Sequence, residues 1–209
     1  MKMRMRVPLA FLAAAGLPAI FAHSQILVTF DDLSVTSTGL AFASIPNGYQ
    51  GLTWSNMSVL NAIRVTDASG TNGYLYGMIS PPNVAYNGFG TPAEIDSATN
   101  FDFFSAYLTG AWNNNLNIEV EGFNGATLAY SNTVVASATN ATLFTVNYMD
   151  IDRIYFNSFG GQDAGFGQGA GEEFVMDNLT FDFIPEPSTL LLTALGVAAL
   201  FTVVRRRRK

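Results

Sequence analysis

The chain of 209 residues contains no cysteine and a single histidine, His23. Lysine occurs twice, as Lys2 and Lys209, one at each extremity. Each absence removes a class of chemistry. Without cysteine there is no disulfide, no thiolate nucleophile and no thiolate zinc site. Without histidine between residues 25 and 184, a Ser-His-Asp arrangement cannot form. Without lysine in that stretch, Schiff-base catalysis and a Walker-type phosphate loop are excluded. Positive charge is scarce there too: Arg64 and Arg153 face fifteen acids, from Asp31 to Asp182, for a net charge near −13. The whole-chain value of −6 conceals this, because both ends are basic. So acidic a surface repels phosphate backbones, and no nucleic-acid partner is expected. It favours cations, calcium above all, and neutral ligands. The catalytic chemistry left open is that of paired carboxylates, as in glycoside hydrolases.

What is present at the two ends is transport information. Residues 1–6 carry Lys2, Arg4 and Arg6, and an apolar run follows to Ala22. Ala22-His23-Ser24 fits a small-x-small cleavage site. Residues 1–24 therefore read as a signal peptide, with Gln25 opening the mature chain. At the other end stand Pro185, Glu186 and Pro187, then an uncharged run over 189–204, then five cations over 205–209. As a helix this run would measure roughly 24 Å, at the short end for a bilayer core of about 30 Å. Arginines that snorkel to the headgroups close the gap and hold the basic end on the cytoplasmic side. A single transmembrane helix is thus expected there.

Pro185-Glu186-Pro187, the apolar span and the terminal arginine cluster resemble the PEP-CTERM sorting signal. The resemblance implies an exported protein that is anchored transiently in the inner membrane. Its tail would be recognised and cut near the tripeptide by an exosortase, a membrane-embedded cysteine transpeptidase, and the protein then reaches the cell surface or the exterior. The same tail is also catalogued as an ice-binding protein C-terminal domain, a name for the tail and not for the domain before it.

Residues 25–184 form one domain and read as all-β. "LNIEVEGF" alternates with period two: Leu116, Ile118 and Val120 face one way, and Asn117, Glu119 and Glu121 the other. Asn124-Gly125 is a hairpin signal before "ATLAYSNTVV". "ILVTF", "LTWSNMSVLN", "FDFFSAYL", "TLFTVNY", "IDRIYFNSF" and "FVMDNLTFDF" complete the strands. No long amphipathic helix is legible. The expected fold is a jelly-roll-like β-sandwich. "VTFDDL", "GYQGLTWSNMSVLN", "NVAYNGFG", "FDFFSAYLTGAWNNNLNIEVEGF" and "FVMDNLTF" resemble a family of secreted bacterial and fungal β-sandwich proteins of unknown activity.

Three candidate sites follow. In "FVMDNLTFDF", period-two spacing puts Asp177 in a row with Val175, Leu179 and Phe181. In "ILVTFDD" the face of Ile26, Val28 and Phe30 continues to Asp32. A carboxylate on a core face must be paired, hydrogen-bonded or metal-bound. Asp177 with Asp31 or Asp32 is therefore a candidate structural calcium set, against a role in capping turn amides. In "GAWNNNL", Trp112 precedes Asn113, Asn114 and Asn115, a combination of flat ring and amides that suits a glycan; packing on the sandwich rim is the competing reading. Glu119 and Glu121 share one face of a strand and are the candidate pair for glycoside hydrolysis or lysis. Trp54 reads as core. "GGQDAGFGQGAGEE", residues 160–173, reads as a mobile surface loop. The first expectation is a non-enzymatic surface-sorted protein working in the extracellular polysaccharide or biofilm layer, with a purely structural matrix protein as an alternative.

Overall fold

The computed structural model describes residues 25–35, 42–167 and 169–184, together with 195, 196 and 198 of the tail. The signal peptide, Pro185-Glu186-Pro187 and the cationic end at 205–209 lie outside the described residues, as does most of the expected membrane helix. Among the described residues no helix is long and apolar enough to cross a membrane.

Twelve strands carry the chain: β1 (Ile26–Val28), β2 (Phe42–Ser44), β3 (Thr53–Ser55), β4 (Met57–Asn61), β5 (Asn83–Asn87), β6 (Ala93–Gly110), β7 (Asn113–Asn114), β8 (Leu116–Asn124), β9 (Thr127–Ala136), β10 (Thr142–Phe159), β11 (Gln162–Asp163) and β12 (Phe174–Phe183). Two short helices lie between β4 and β5: α1 (Ala62–Ser69) and α2 (Gly73–Gly77). Asn61 caps α1, its side chain accepting from the Arg64 amide, and Asn72 caps α2 through the Tyr74 amide.

Ten strands form one antiparallel hydrogen-bonded sheet in the order β2-β4-β5-β12-β6-β10-β8-β9, with β1 on β12 and β3 on β6. The first and last strands, β1 and β12, lie side by side, Leu27 opposite Thr180. The sheet closes over itself because its two 18-residue strands break register. The early part of β6 pairs with β3 and the end of β10; its later part pairs with β12 and the start of β10. Register shifts in β10 fall between Thr145 and Arg153, and such bulges bend a strand. Two layers result, as in a sandwich. Phe156 of β10 meets Phe174 of β12 across the interior, ring centroids 5.4 Å apart. The main core between the layers holds Ile95, Phe103, Leu108, Ile118, Val120, Ile154 and Phe181, all fully buried.

A smaller core sits on the outer face of β4, β5 and β12. Leu60, Val84 and Val175 meet Ala62, Val65 and Tyr74 of the two helices there. Strand alternation assigns these positions: Met57, Val59 and Ala85 point to the main core, while Leu60, Val84 and Tyr86 point to the helices.

Two sequence expectations change. "LTWSNMSVLN" is not one strand. Asn56 has φ +54 and breaks it into β3 and β4, which pair with different strands. Asp177 does not share a face with Leu179 and Phe181. Asn178, at φ +50, introduces a bulge, so Phe174, Met176, Leu179 and Phe181 face the main core while Val175 faces the other way.

Candidate functional site

Asp177 is fully buried and its carboxylate is saturated. One oxygen accepts from the Ile79 and Ser80 amides at 2.7 and 2.8 Å; the other accepts from the Asn178 amide at 2.7 Å and the Ser80 hydroxyl at 3.1 Å. Burial pushes its pKa up to about 6, and these donors pull the other way. Asp31 accepts from the Asn83 amide at 2.9 Å, and Asp32 accepts from the Tyr49 hydroxyl at 2.6 Å. The three carboxylates are thus occupied by separate partners. Among the described residues no group of three or more acids is placed to hold a metal ion. The geometry of Asp177 is that of a clamp on the turn after α2.

The Trp112 stretch divides in the same way. Asn113 is buried: its amide donates to the Gly160 carbonyl at 2.8 Å, and its oxygen accepts from the Gly171 amide at 3.1 Å. Asn114 accepts from the Ala138 amide at 2.7 Å. Asn115 stands at φ +55 in the turn. These amides build backbone, and of the four residues Trp112 alone lines a cavity. Asn113 also ties both ends of the glycine-rich segment, whose Gln162 and Asp163 pair with β7. That segment, read from sequence as a mobile loop, is anchored at its ends.

The cavity is a groove of about 680 Å³ over the smaller core. Its floor is Ser58 of β4 and Tyr86 of β5, which lie opposite each other in register, with Leu60 beside them. Val65 and Ser69 of α1 and Tyr74 of α2 form one wall; Phe42, Ser44 and Ile45 form another. Buried Trp54 reaches the groove from the main core, its indole N–H donating to the Tyr49 carbonyl at 3.1 Å. Tyr74 meets both Tyr86 and Trp112 edge to face at 5.5 Å. A second cavity of about 450 Å³ adjoins, lined by Ala170, Gly171 and Glu172, and the two share Phe89, Trp112 and Glu173.

Phe89 lies at the junction. It is 94% exposed and has φ +55, inside the single turn of 3₁₀ helix Gly88–Gly90. Asn56 holds that turn, its amide donating to the Gly88, Thr91 and Pro92 carbonyls at 2.9–3.2 Å. A large apolar ring displayed to water on a left-handed backbone is costly on both counts, and such features gather at functional sites.

Glu173 is the one charged side chain lining the larger cavity. Its charge adds to burial in raising the Tyr74 and Tyr86 phenols, while a Ser58 hydrogen bond lowers that of Tyr86. Gly171 keeps the carboxylate close to Trp112: a Cβ there would strike the Glu173 carboxylate and stand 2.7 Å from Trp112 Cδ1. Neighbouring Glu172 accepts from the Gly160 amide at 2.7 Å. Glu119 and Glu121 line neither cavity. Tyr74, Tyr86 and Phe89 are scattered along the sequence, and no motif in it assembles them. A large aromatic set between two glycines in "NGFGT" is the sequence signal that could have marked Phe89.

No curated protein matches the sequence. Among solved structures, TmCBM61 in complex with β-1,4-galactotriose is similar to 68% of this chain and 95% of its own, at 11% identity and a TM-score of 0.35. Residues 183–209 match the family model of the PEP-CTERM protein-sorting motif. The chain is therefore a β-sandwich domain carrying a PEP-CTERM sorting tail, the mark of an exported protein sorted by way of the membrane.

Proposed function

We propose that this protein is a non-catalytic, surface-sorted module that binds polysaccharide in the extracellular polymer layer after an exosortase has processed its tail. The observation that carries the reading is the groove of Tyr74, Tyr86, Trp112 and Phe89 over the smaller core. Aromatic faces stack on sugar rings, and the polar edge formed by Ser58, Asn56 and Glu173 can answer hydroxyls. The groove continues past Phe89 into the second cavity, which suits a chain more than a monosaccharide.

Binding is favoured over hydrolysis by the carboxylates. Two-acid cleavage needs both groups free to flank one bond. Glu172 and Glu173 both line the second cavity, but Glu172 is drawn to the Gly160 amide, and Glu173 is the one acid on the larger groove. No cation lines either cavity, so polyanionic glycans lack a counter-charge there.

The test is a polysaccharide panel probed with the full chain in neutral detergent. At least one polymer should be retained, and Phe89→Ala should weaken retention about tenfold or more, as expected for loss of one stacking platform. Sugar release from any polymer, or retention unchanged in both Phe89→Ala and Trp112→Ala, would overturn the reading.

A further inference from the structure

The Glu173 carboxylate raises a question that neutral sugar binding does not answer. It is partly buried, it borders both cavities, and among the described residues no hydrogen-bond donor meets it. Its surroundings are aromatic: Trp112 lies beside it at Gly171, and Tyr74 and Tyr86 both feel its charge. An unpaired carboxylate next to the half-buried rings of Tyr86 and Trp112 is the arrangement that recognises an ammonium group. The anion supplies charge and acceptors, and the rings supply cation–π attraction. The wider electrostatics agree, since Arg64 and Arg153 are the only cations between residues 25 and 184 and neither lines the groove.

We propose that the groove selects polysaccharides bearing free amino groups, a glucosamine-type ammonium seating in the cavity that Glu173 shares with Tyr86, Trp112 and Phe89. This rests on the glycan-binding reading and narrows it to one ligand class. Neutral hydroxyls would give the carboxylate hydrogen bonds but no opposing charge. An N-acetylated residue loses both the charge and two of the donors. A uronic acid would meet repulsion.

Calorimetry of the full chain in neutral detergent separates the two claims. Three β-1,4-linked hexamers serve as probes: fully deacetylated glucosamine, its N-acetylated counterpart, and cellohexaose, all at mildly acidic pH where the amine is protonated. The deacetylated hexamer should bind about tenfold or more tightly than the other two, and the advantage should shrink as salt is raised. Glu173→Gln should erase the advantage and bring the deacetylated hexamer level with cellohexaose. Phe89→Ala, at a position almost wholly in solvent, should weaken all three together. Equal affinities, or a preference that survives Glu173→Gln, would sink the ammonium claim and leave glycan binding standing. Failure of all three hexamers to bind would likewise sink the ammonium claim, while glycan binding itself stands or falls with the polysaccharide panel. Thermal melting of each variant separates lost recognition from lost folding.

Discussion

At the scale of single residues, position and cost diverge most at Phe89. Its ring gains nothing from burial, and its left-handed backbone carries a penalty of about 1 kcal/mol. Phe89→Gly should therefore raise stability by about 0.5–1 kcal/mol while weakening ligand binding about tenfold or more, a trade that purely structural residues do not show. Chemical denaturation alongside glycan retention measures both halves. Asp177 is the opposite case, a residue whose whole use is internal. Its folded pKa of about 6 lies above the ordinary 3.8, so the folded chain holds this proton more tightly than the unfolded one. The stability it contributes is complete below about pH 4 and is lost as pH rises through about 6. Asp177→Asn should flatten the pH dependence of unfolding in that window and cost about 1–3 kcal/mol through mismatched amides. If added calcium raises the wild-type melting temperature and chelator lowers it, the clamp account of Asp177 is incomplete.

At the scale of elements, the recurrent device is a residue at positive φ that ends an alternation. Asn56 turns one predicted strand into two, and Asn178 shifts β12 by one position. The period-two pattern of "FVMDNLTFDF" is legible, but a bulge moves every later side chain to the other face. Single-sequence periodicity cannot register that, because the bulge depends on Asp177 finding the amides of Ile79 and Ser80, nearly a hundred residues away. The glycine-rich segment makes the same point. Its composition reads as loose chain, yet Asn113 bridges Gly160 and Gly171. Asn113→Ala should leave the sandwich folded and raise amide hydrogen exchange across residues 160–171 by about tenfold, in line with the loss of two partly buried bonds. Unchanged protection there would show that β11 and the Glu172 contact to Gly160 secure the segment without Asn113. The clean alternation of β8, by contrast, was readable outright: Leu116, Ile118 and Val120 are fully buried.

At the scale of the molecule, the ends and the middle obey different physics. The tail matched as a PEP-CTERM motif predicts that protein recovered from its native cell has lost residues 189–204, with a new terminus near Pro185, Glu186 and Pro187. Mass spectrometry of both ends decides this, and an intact cationic terminus in exported material would contradict it. The acidic middle folds around a core of alternating aliphatic and aromatic residues, and no disulfide assists. Sequence by itself determined what is local or compositional: the sorting tail, the absence of imidazole, thiol and amine chemistry in the domain, the β character and the burial of Trp54. Tertiary structure alone decided the groove. Tyr74 comes from a five-residue helix, Tyr86 from a strand, Phe89 from a turn and Trp112 from the bend between β6 and β7, and no spacing joins them. They converge because the outer face of β4, β5 and β12 must be covered, and two short helices cover only part of it.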